Sequence, residues 1–140
     1  DLQAALGISQ LDRVDEFVSK RHALKERYDK LLKDLPIVLP YQSIDSYSSF
    51  HLYPIKINTS KEKKRERIDV FNELRGKNIG VNVHYIPIHT QPYYQGLGFN
   101  FGDFPNAELY YENTLSLPLF SSMTIKQQDK VVYELGQSLQ

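Results

Sequence analysis

An apolar repeat with spacings of mostly three and four residues runs from Leu11 to Leu35 and constrains the fold more than any other part of the chain. This spacing places the apolar side chains on one face of a helix and leaves the other face to charged residues. Pro36 cannot continue the helix, because proline lacks a backbone N–H and clashes with the preceding turn. The pattern therefore predicts a long amphipathic helix over residues 1–35.

The first turns of this helix differ from the rest because they are apolar almost all round, with Leu2, Ala4, Ala5, Leu6, Gly7 and Ile8. Such a surface needs cover on several sides, and the remainder of the chain offers little that could cover it. We therefore expect a further domain or a partner chain to bury it. The chain also begins with Asp1 rather than Met, and we expect it to be a piece of a longer protein.

Length and composition exclude several classes of function. The chain has 140 residues, which is enough for one domain with its own core. Its 17 basic and 17 acidic residues cancel, which argues against nucleic acid or an anionic membrane as a partner. No apolar run approaches the roughly 20 residues of a membrane span. The absence of cysteine excludes disulfides and thiol catalysis and fits a reducing compartment, so we expect a cytoplasmic protein.

Two segments after Pro36 predict strands. The side chains of residues 49–57 alternate between two faces, as in a strand. Pro54, which has no N–H to donate, indicates an edge strand or a bulge. Residues 79–85 predict a second strand that turns Val81, Val83 and Tyr85 to one face. If that face packs against helices, Asn82 and His84 face a cleft or solvent.

Three further helices are predicted from their start signals. Thr59 and Glu62 have capping-box spacing, Pro105 can open a helix of about ten residues, and Thr124 with Gln127 repeats the box. The expected core residues are Ile68, Phe71 and Leu74 in the first helix and Ile125, Val131, Val132, Leu135 and Leu139 in the last. This order of elements predicts an α+β fold, with a short sheet and helices on one face.

The histidines near the second strand allow three interpretations. His84 and His89 are five residues apart and could bind a metal, with His51 as a third ligand. No carboxylate lies near them in sequence, so hydrogen bonds to loop backbone groups are the favoured alternative. The third interpretation is a small-molecule cleft.

The loop that follows is rich in aromatic residues, namely Tyr85, Tyr93, Tyr94, Phe99, Phe101 and Phe104. Tyrosine combines a flat apolar face with a hydroxyl, which suits sugars and nucleobases, although the same rings could fill a small core.

The basic run over residues 61–67 is interrupted by acids and is typical of a solvated helix face, with phosphate binding as the weaker alternative. No Gly-rich phosphate loop, HExxH helix or readable Ser/His/Asp arrangement is present, so the residues predict no self-contained catalytic machinery.

Four segments, taken in order, match the pattern of a known family: DLQAALG at 1–7, GVNVHYIPIHTQPYY at 80–94, GDFPNAE at 102–108 and LSLPL at 115–119. They resemble the C-terminal part of the DegT/DnrJ/EryC1/StrS family of pyridoxal-phosphate-dependent sugar-nucleotide aminotransferases. Within that family the chain most resembles the UDP-4-amino-4,6-dideoxy-N-acetyl-altrosamine transaminase of pseudaminic acid biosynthesis. That enzyme aminates UDP-4-keto-6-deoxy-L-AltNAc.

The resemblance implies the aspartate-aminotransferase fold, which is pyridoxal phosphate (PLP) fold type I. Residues 1–35 would then link to a missing cofactor domain, and residues 36–140 would form the small C-terminal domain. In this family an amino group passes from glutamate through pyridoxal phosphate to a 4-keto sugar linked to a nucleotide, and a lysine holds the cofactor as a Schiff base. No segment here matches the lysine motif, so the resemblance implies that the missing domain binds the cofactor, that this chain alone is inactive, and that the complete enzyme is a homodimer.

The resemblance also implies site residues for the substrate. We expect His84 and His89 to make polar contacts with the nucleotide sugar and Tyr85 and Tyr93 to stack on it or donate hydroxyls, while Asn82 shares the face of His84. No catalytic, cofactor-binding or metal-binding residue is expected in this chain. The alternative is a non-catalytic module that binds a sugar nucleotide or a protein.

Overall fold

The computed structural model describes residues 1–57 and 65–140 of the chain, and within these ranges it has helices on a three-stranded sheet. The prediction of an α+β fold is confirmed. In chain order the elements are α1 (Leu2–Leu11), α2 (Val14–Leu32), β1 (Ile37–Val38), β2 (Tyr53–Ile57), α3 (Arg67–Gly76), a 3₁₀ turn (Ile88–Thr90), α4 (Pro92–Gln95), α5 (Pro105–Asn113), β3 (Thr114–Leu117) and α6 (Ile125–Ser138).

The sheet is antiparallel with the order β1-β2-β3. Tyr53 pairs with Leu117 and Ile55 pairs with Leu115, so these four side chains share one face. Helices α2, α3 and α6 pack with this face into one core, as the helices-on-one-face prediction requires. The helices contribute Leu24, Tyr28, Leu32, Val70, Leu74, Val131 and Leu135 to that core.

The prediction that Pro54 marks an edge strand is wrong, because β2 is the middle strand. Proline is tolerated there because β1 pairs only with Lys56 and Ile57, so among the described residues no strand lies beside Pro54 on that side. The strand also begins at Tyr53 rather than at residue 49. Phe50 has a φ of 44°, which interrupts the extended backbone before β2.

The predicted single helix over residues 1–35 is two helices. The chain turns at Asp12 and Arg13, where Arg13 N–H donates to Gln10 O at 3.1 Å, and α2 then ends at Leu32. Helix α2 packs on the core, but α1 has no buried residue. Its apolar side chains are exposed, with Leu2 at 87%.

The predicted starts of the last two helices are confirmed. Pro105 opens α5, and in α6 the hydroxyl of Thr124 accepts from Gln127 N–H while the Gln127 side chain accepts from Thr124 N–H. Two predicted core residues are wrong, because Ile68 and Ile125 are exposed. In α3, Val70 is buried instead. The capping box predicted at residues 59–62 lies outside the described residues.

The predicted strand over residues 79–85 is wrong as a continuous strand. The segment pairs at a single residue, where Asn82 and Ser116 exchange two backbone hydrogen bonds of 3.1 and 2.8 Å. Val81 is buried, as expected, but Tyr85 is 74% exposed. The sheet neighbour, β3, ends at Leu117, so the segment has little strand to pair with. Of the helices that the structure describes, none has the length and apolar character needed to cross a bilayer.

Candidate functional site

An apolar cleft of about 490 Å³ lies between residues 85–89 and residues 94–107. Its lining consists of Tyr85, Ile86, Pro87, Ile88, His89, Tyr94, Phe99, Phe104 and Ala107. The first wall is shaped by the turn after Pro87, whose carbonyl accepts from Thr90 N–H at 3.0 Å and from the Thr90 hydroxyl at 2.8 Å. Pro92 then opens α4, where a missing N–H costs nothing.

The opposite wall is a row of aromatic rings. Ring centroids are 6.5 Å apart for Tyr94 and Phe99, 6.2 Å for Phe99 and Phe104, and 4.8 Å for Phe104 and His89. Gly98, with a φ of 99°, makes the turn that lets Phe99 N–H return to Tyr94 O. The row ends on the histidine of the first wall, so the two walls meet there.

His89 and Glu108 form a buried pair where the walls meet, and each is 7% exposed. His89 Nε2 lies 2.6 Å from Glu108 Oε1. The same oxygen accepts from Gly102 N–H at 2.8 Å and from Phe104 N–H at 3.5 Å. Burial alone would raise the pKa of Glu108, but the hydrogen bonds from Gly102, His89 and Phe104 outweigh it and lower that pKa.

His84 and Asn82 meet at one residue of the sheet, Ser116. His84 Nδ1 lies 2.9 Å from the Ser116 hydroxyl, and Asn82 pairs with the Ser116 backbone. The His84 ring also contacts Tyr85 edge to face, with centroids 4.7 Å apart at 80°. The exposed Tyr85 ring therefore contacts His84 and also lines the cleft.

The five predicted site residues thus occupy three positions. Tyr85 and His89 line the cleft, and His84 and Asn82 both bond to Ser116 of β3. Tyr93 is on α4 outside the lining, 72% exposed, and its ring centroid lies 5.3 Å from that of Tyr94. Their contacts with a ligand remain predictions. Sequence reasoning missed Glu108, for which the available signal was an acidic residue in the first turn of a helix opened by proline.

The metal interpretation gains no support from the geometry. Within residues 1–57 and 65–140, no three His, Asp or Glu side chains come close enough together to hold a metal ion. Among the histidines of that interpretation, His51 is exposed, His84 is bound to Ser116 and His89 is bound to Glu108.

The chain has a short antiparallel sheet that helices cover on one face, with an apolar cleft among the loops. This fold is that of the small C-terminal domain of PLP fold type I. Residues 1–136 match the DegT/DnrJ/EryC1/StrS aminotransferase family, and the chain belongs to that family. The family and the fold predicted from the sequence are therefore confirmed.

Relatives match nearly the whole chain but only part of their own length. The Bacillus subtilis spore coat polysaccharide biosynthesis protein SpsC is 39% identical over 135 residues, which are 94% of this chain and 34% of that protein. The PLP form of Spr1654 from Streptococcus pneumoniae, described as a sugar aminotransferase, aligns at a TM-score of 0.89 and 29% identity over 99% of this chain and 35% of its own. Helicobacter pylori PseC aligns at a TM-score of 0.84 and 28% identity, over 98% of this chain and 36% of its own. The chain spans about a third of the length of the curated relatives that it matches.

Pyridoxal phosphate is the cofactor of this family, and solved relatives hold it or its amine form. The cleft of this chain does not fit it as a covalent site. The family chemistry needs a lysine amine, and no lysine is among the lining residues. The lining consists mainly of aliphatic and aromatic side chains.

Proposed function

We propose that this chain is the small domain of a PLP-dependent aminotransferase that aminates a nucleotide-linked 4-keto-6-deoxy sugar. The observation that carries the proposal is the alignment of 99% of the chain with a sugar aminotransferase in its PLP form. In this proposal residues 1–35 lead from a cofactor domain outside the sequence, residues 36–140 form the small domain, and the cofactor domain supplies the Schiff-base lysine. The exposed apolar side chains of α1 are available to pack against that domain.

The composition of the cleft supports a deoxy sugar as substrate. Aromatic and aliphatic groups dominate its lining, and such surfaces suit the apolar face of a sugar ring, a methyl group or a nucleobase. We propose a UDP-linked substrate with glutamate as the amino donor. The name of SpsC and the described role of PseC in pseudaminic acid biosynthesis support a place in surface-glycan or pseudaminic acid biosynthesis.

We assign substrate contacts to the residues around the cleft mouth. Tyr85, with most of its ring exposed, is proposed to stack on the sugar nucleotide. His84 and Asn82, which both bond to Ser116, are proposed to supply polar contacts. His89 is the polar group of the cleft lining, and Tyr93 is proposed to meet the more distant part of the ligand.

The test uses the complete protein that contains this chain, with pyridoxal phosphate, glutamate and UDP-4-keto-6-deoxy-N-acetylhexosamine. Mass spectrometry should detect the 4-amino sugar nucleotide. Tyr85→Ala removes one stacked ring and should raise KM about tenfold. Tyr41→Ala is the matched control, because Tyr41 is 91% exposed and outside the cleft lining. Equal kinetics for the two variants would remove Tyr85 from the site.

A non-catalytic binding module is the alternative function, and the near absence of polar groups in the cleft is compatible with it. Calorimetric titration of the 140-residue chain with a UDP-sugar distinguishes the two. Saturable binding by the chain, together with a complete protein that produces no amino sugar, would favour the module. We further propose a cytoplasmic homodimer for the complete enzyme, which light scattering and cell fractionation can test.

A further inference from the structure

The carboxylate of Glu108 connects three segments around the cleft. It belongs to α5, and one of its oxygens accepts hydrogen bonds from the side chain of His89 in the 3₁₀ turn and from backbone N–H groups of Gly102 and Phe104 in the loop. Two of these partners, His89 and Phe104, line the cleft. A single buried group is therefore hydrogen-bonded to both walls.

The contact with Glu108 decides which nitrogen of His89 can bind a ligand. An ionised carboxylate only accepts hydrogen bonds, so His89 Nε2 must carry the hydrogen. In a neutral imidazole the other nitrogen, Nδ1, is then an acceptor. Within the described residues Nδ1 makes no hydrogen bond. Any polar contact from His89 to a molecule in the cleft must therefore use Nδ1.

The backbone contacts of Glu108 act on the aromatic wall. Gly102 has a φ of 98°, which its N–H to Glu108 helps to hold, and two residues later the Phe104 ring lies 4.8 Å from the His89 ring. Replacing the carboxylate would release the loop and the histidine together. This coupling separates Glu108 from a residue that merely stabilises its own helix.

We propose that Glu108 is a positioning residue for the substrate cleft: it fixes His89 as the Nε2–H tautomer, leaving Nδ1 to accept from a hydroxyl or amide N–H of the nucleotide sugar, and it holds Phe104 against the opposite side. The part that concerns the ligand rests on the proposed function. The part that concerns the tautomer does not.

The first experiment measures the tautomer of His89 by ¹⁵N-edited NMR of the chain, above the pH at which histidines are protonated. The expected result is a protonated Nε2 and a bare Nδ1. Glu108→Leu removes the acceptor and should produce a mixture of the two tautomers, whereas Glu108→Gln retains an acceptor oxygen and should restore most of the Nε2–H form. Glu112→Gln is the matched control, because Glu112 lies one turn further along α5 and is exposed.

A bare Nε2 or a tautomer mixture in the unmodified chain would overturn the proposal even if Glu108→Leu does not fold. A second measurement uses the complete protein with the UDP-keto sugar. Glu108→Leu should raise KM about tenfold with a smaller change in kcat, Glu108→Gln should restore most of the affinity, and Glu112→Gln should change neither kcat nor KM. An altered tautomer with unchanged KM would overturn the contact between His89 and substrate. If the protein produces no amino sugar at all, the proposed function fails while the tautomer result stands.

Discussion

Two buried tyrosines should make this protein lose stability sharply in alkali. Tyr28 and Tyr53 have no exposed surface, and burial raises the pKa of each well above the ordinary value of 10.0. For Tyr53 the hydrogen bond to Asp29, 2.7 Å long, and the charge of that carboxylate raise it further. The folded state therefore keeps both phenol protons to a higher pH than the unfolded state does.

The sign and size of this change in stability with pH follow from proton linkage. The contribution of each tyrosine is fully present below the unfolded pKa of 10.0 and is lost as the pH rises toward the folded pKa. Between about pH 9 and about pH 11, ionisation in the unfolded state costs about 1.4 kcal/mol of stability for each group, and about 3 kcal/mol for both. Tyr28→Phe and Tyr53→Phe each remove one such contribution, together with a hydrogen bond of about 1 kcal/mol.

Urea unfolding followed by circular dichroism at several pH values measures this effect. Each phenylalanine variant should be less stable than the wild type near neutral pH and should lose that deficit by about pH 11. Tyr41→Phe changes a tyrosine that is 91% exposed and should follow the wild-type curve throughout. If the Tyr28 and Tyr53 variants also follow the wild-type pH dependence, the buried phenols do not control it and the reasoning is wrong.

Two other substitutions test the packing. Thr124→Ala breaks the reciprocal cap of α6 and should cost about 1 kcal/mol in urea unfolding, whereas Ser122→Ala, at an exposed position before the helix, should cost almost nothing. Leu115→Ala empties a fully buried site on β3 and should lower the free energy of unfolding by about 2–5 kcal/mol. Leu109 is 55% exposed, so Leu109→Ala should lower it far less. Similar losses for the two leucines would refute the assigned core.

The helices were the most predictable part of this fold because their signals are local. The apolar spacing of α2 and α6 and the cap at Thr124 lie within a few residues of one another in sequence. The break at Asp12 was missed because the same apolar spacing continues across it. The strand at residues 79–85 was predicted from its valines, but strand pairing depends on the partner, and the short β3 offers it only Ser116.

The candidate site was partly predictable for the same reason. The aromatic loop and His89 stand out by composition, and both contribute to the cleft. Glu108 does not stand out, because its role depends on a turn at Gly102 that brings backbone N–H groups to a carboxylate six residues further along the chain. Ser116 is similar, since it meets His84 across 32 residues of sequence. Contacts of this kind are created by the fold and have no local pattern.

We propose that this chain forms one side of a sugar-nucleotide cleft in an aminotransferase. The most direct measurement is single-turnover formation of the 4-amino sugar by the complete protein, loaded with the amine form of the cofactor and given the UDP-keto sugar, with and without Tyr85→Ala. We predict product from the wild type and a marked loss of apparent affinity for the sugar in the variant. No product from the cofactor-loaded wild type, or unchanged affinity in the variant, would contradict the account.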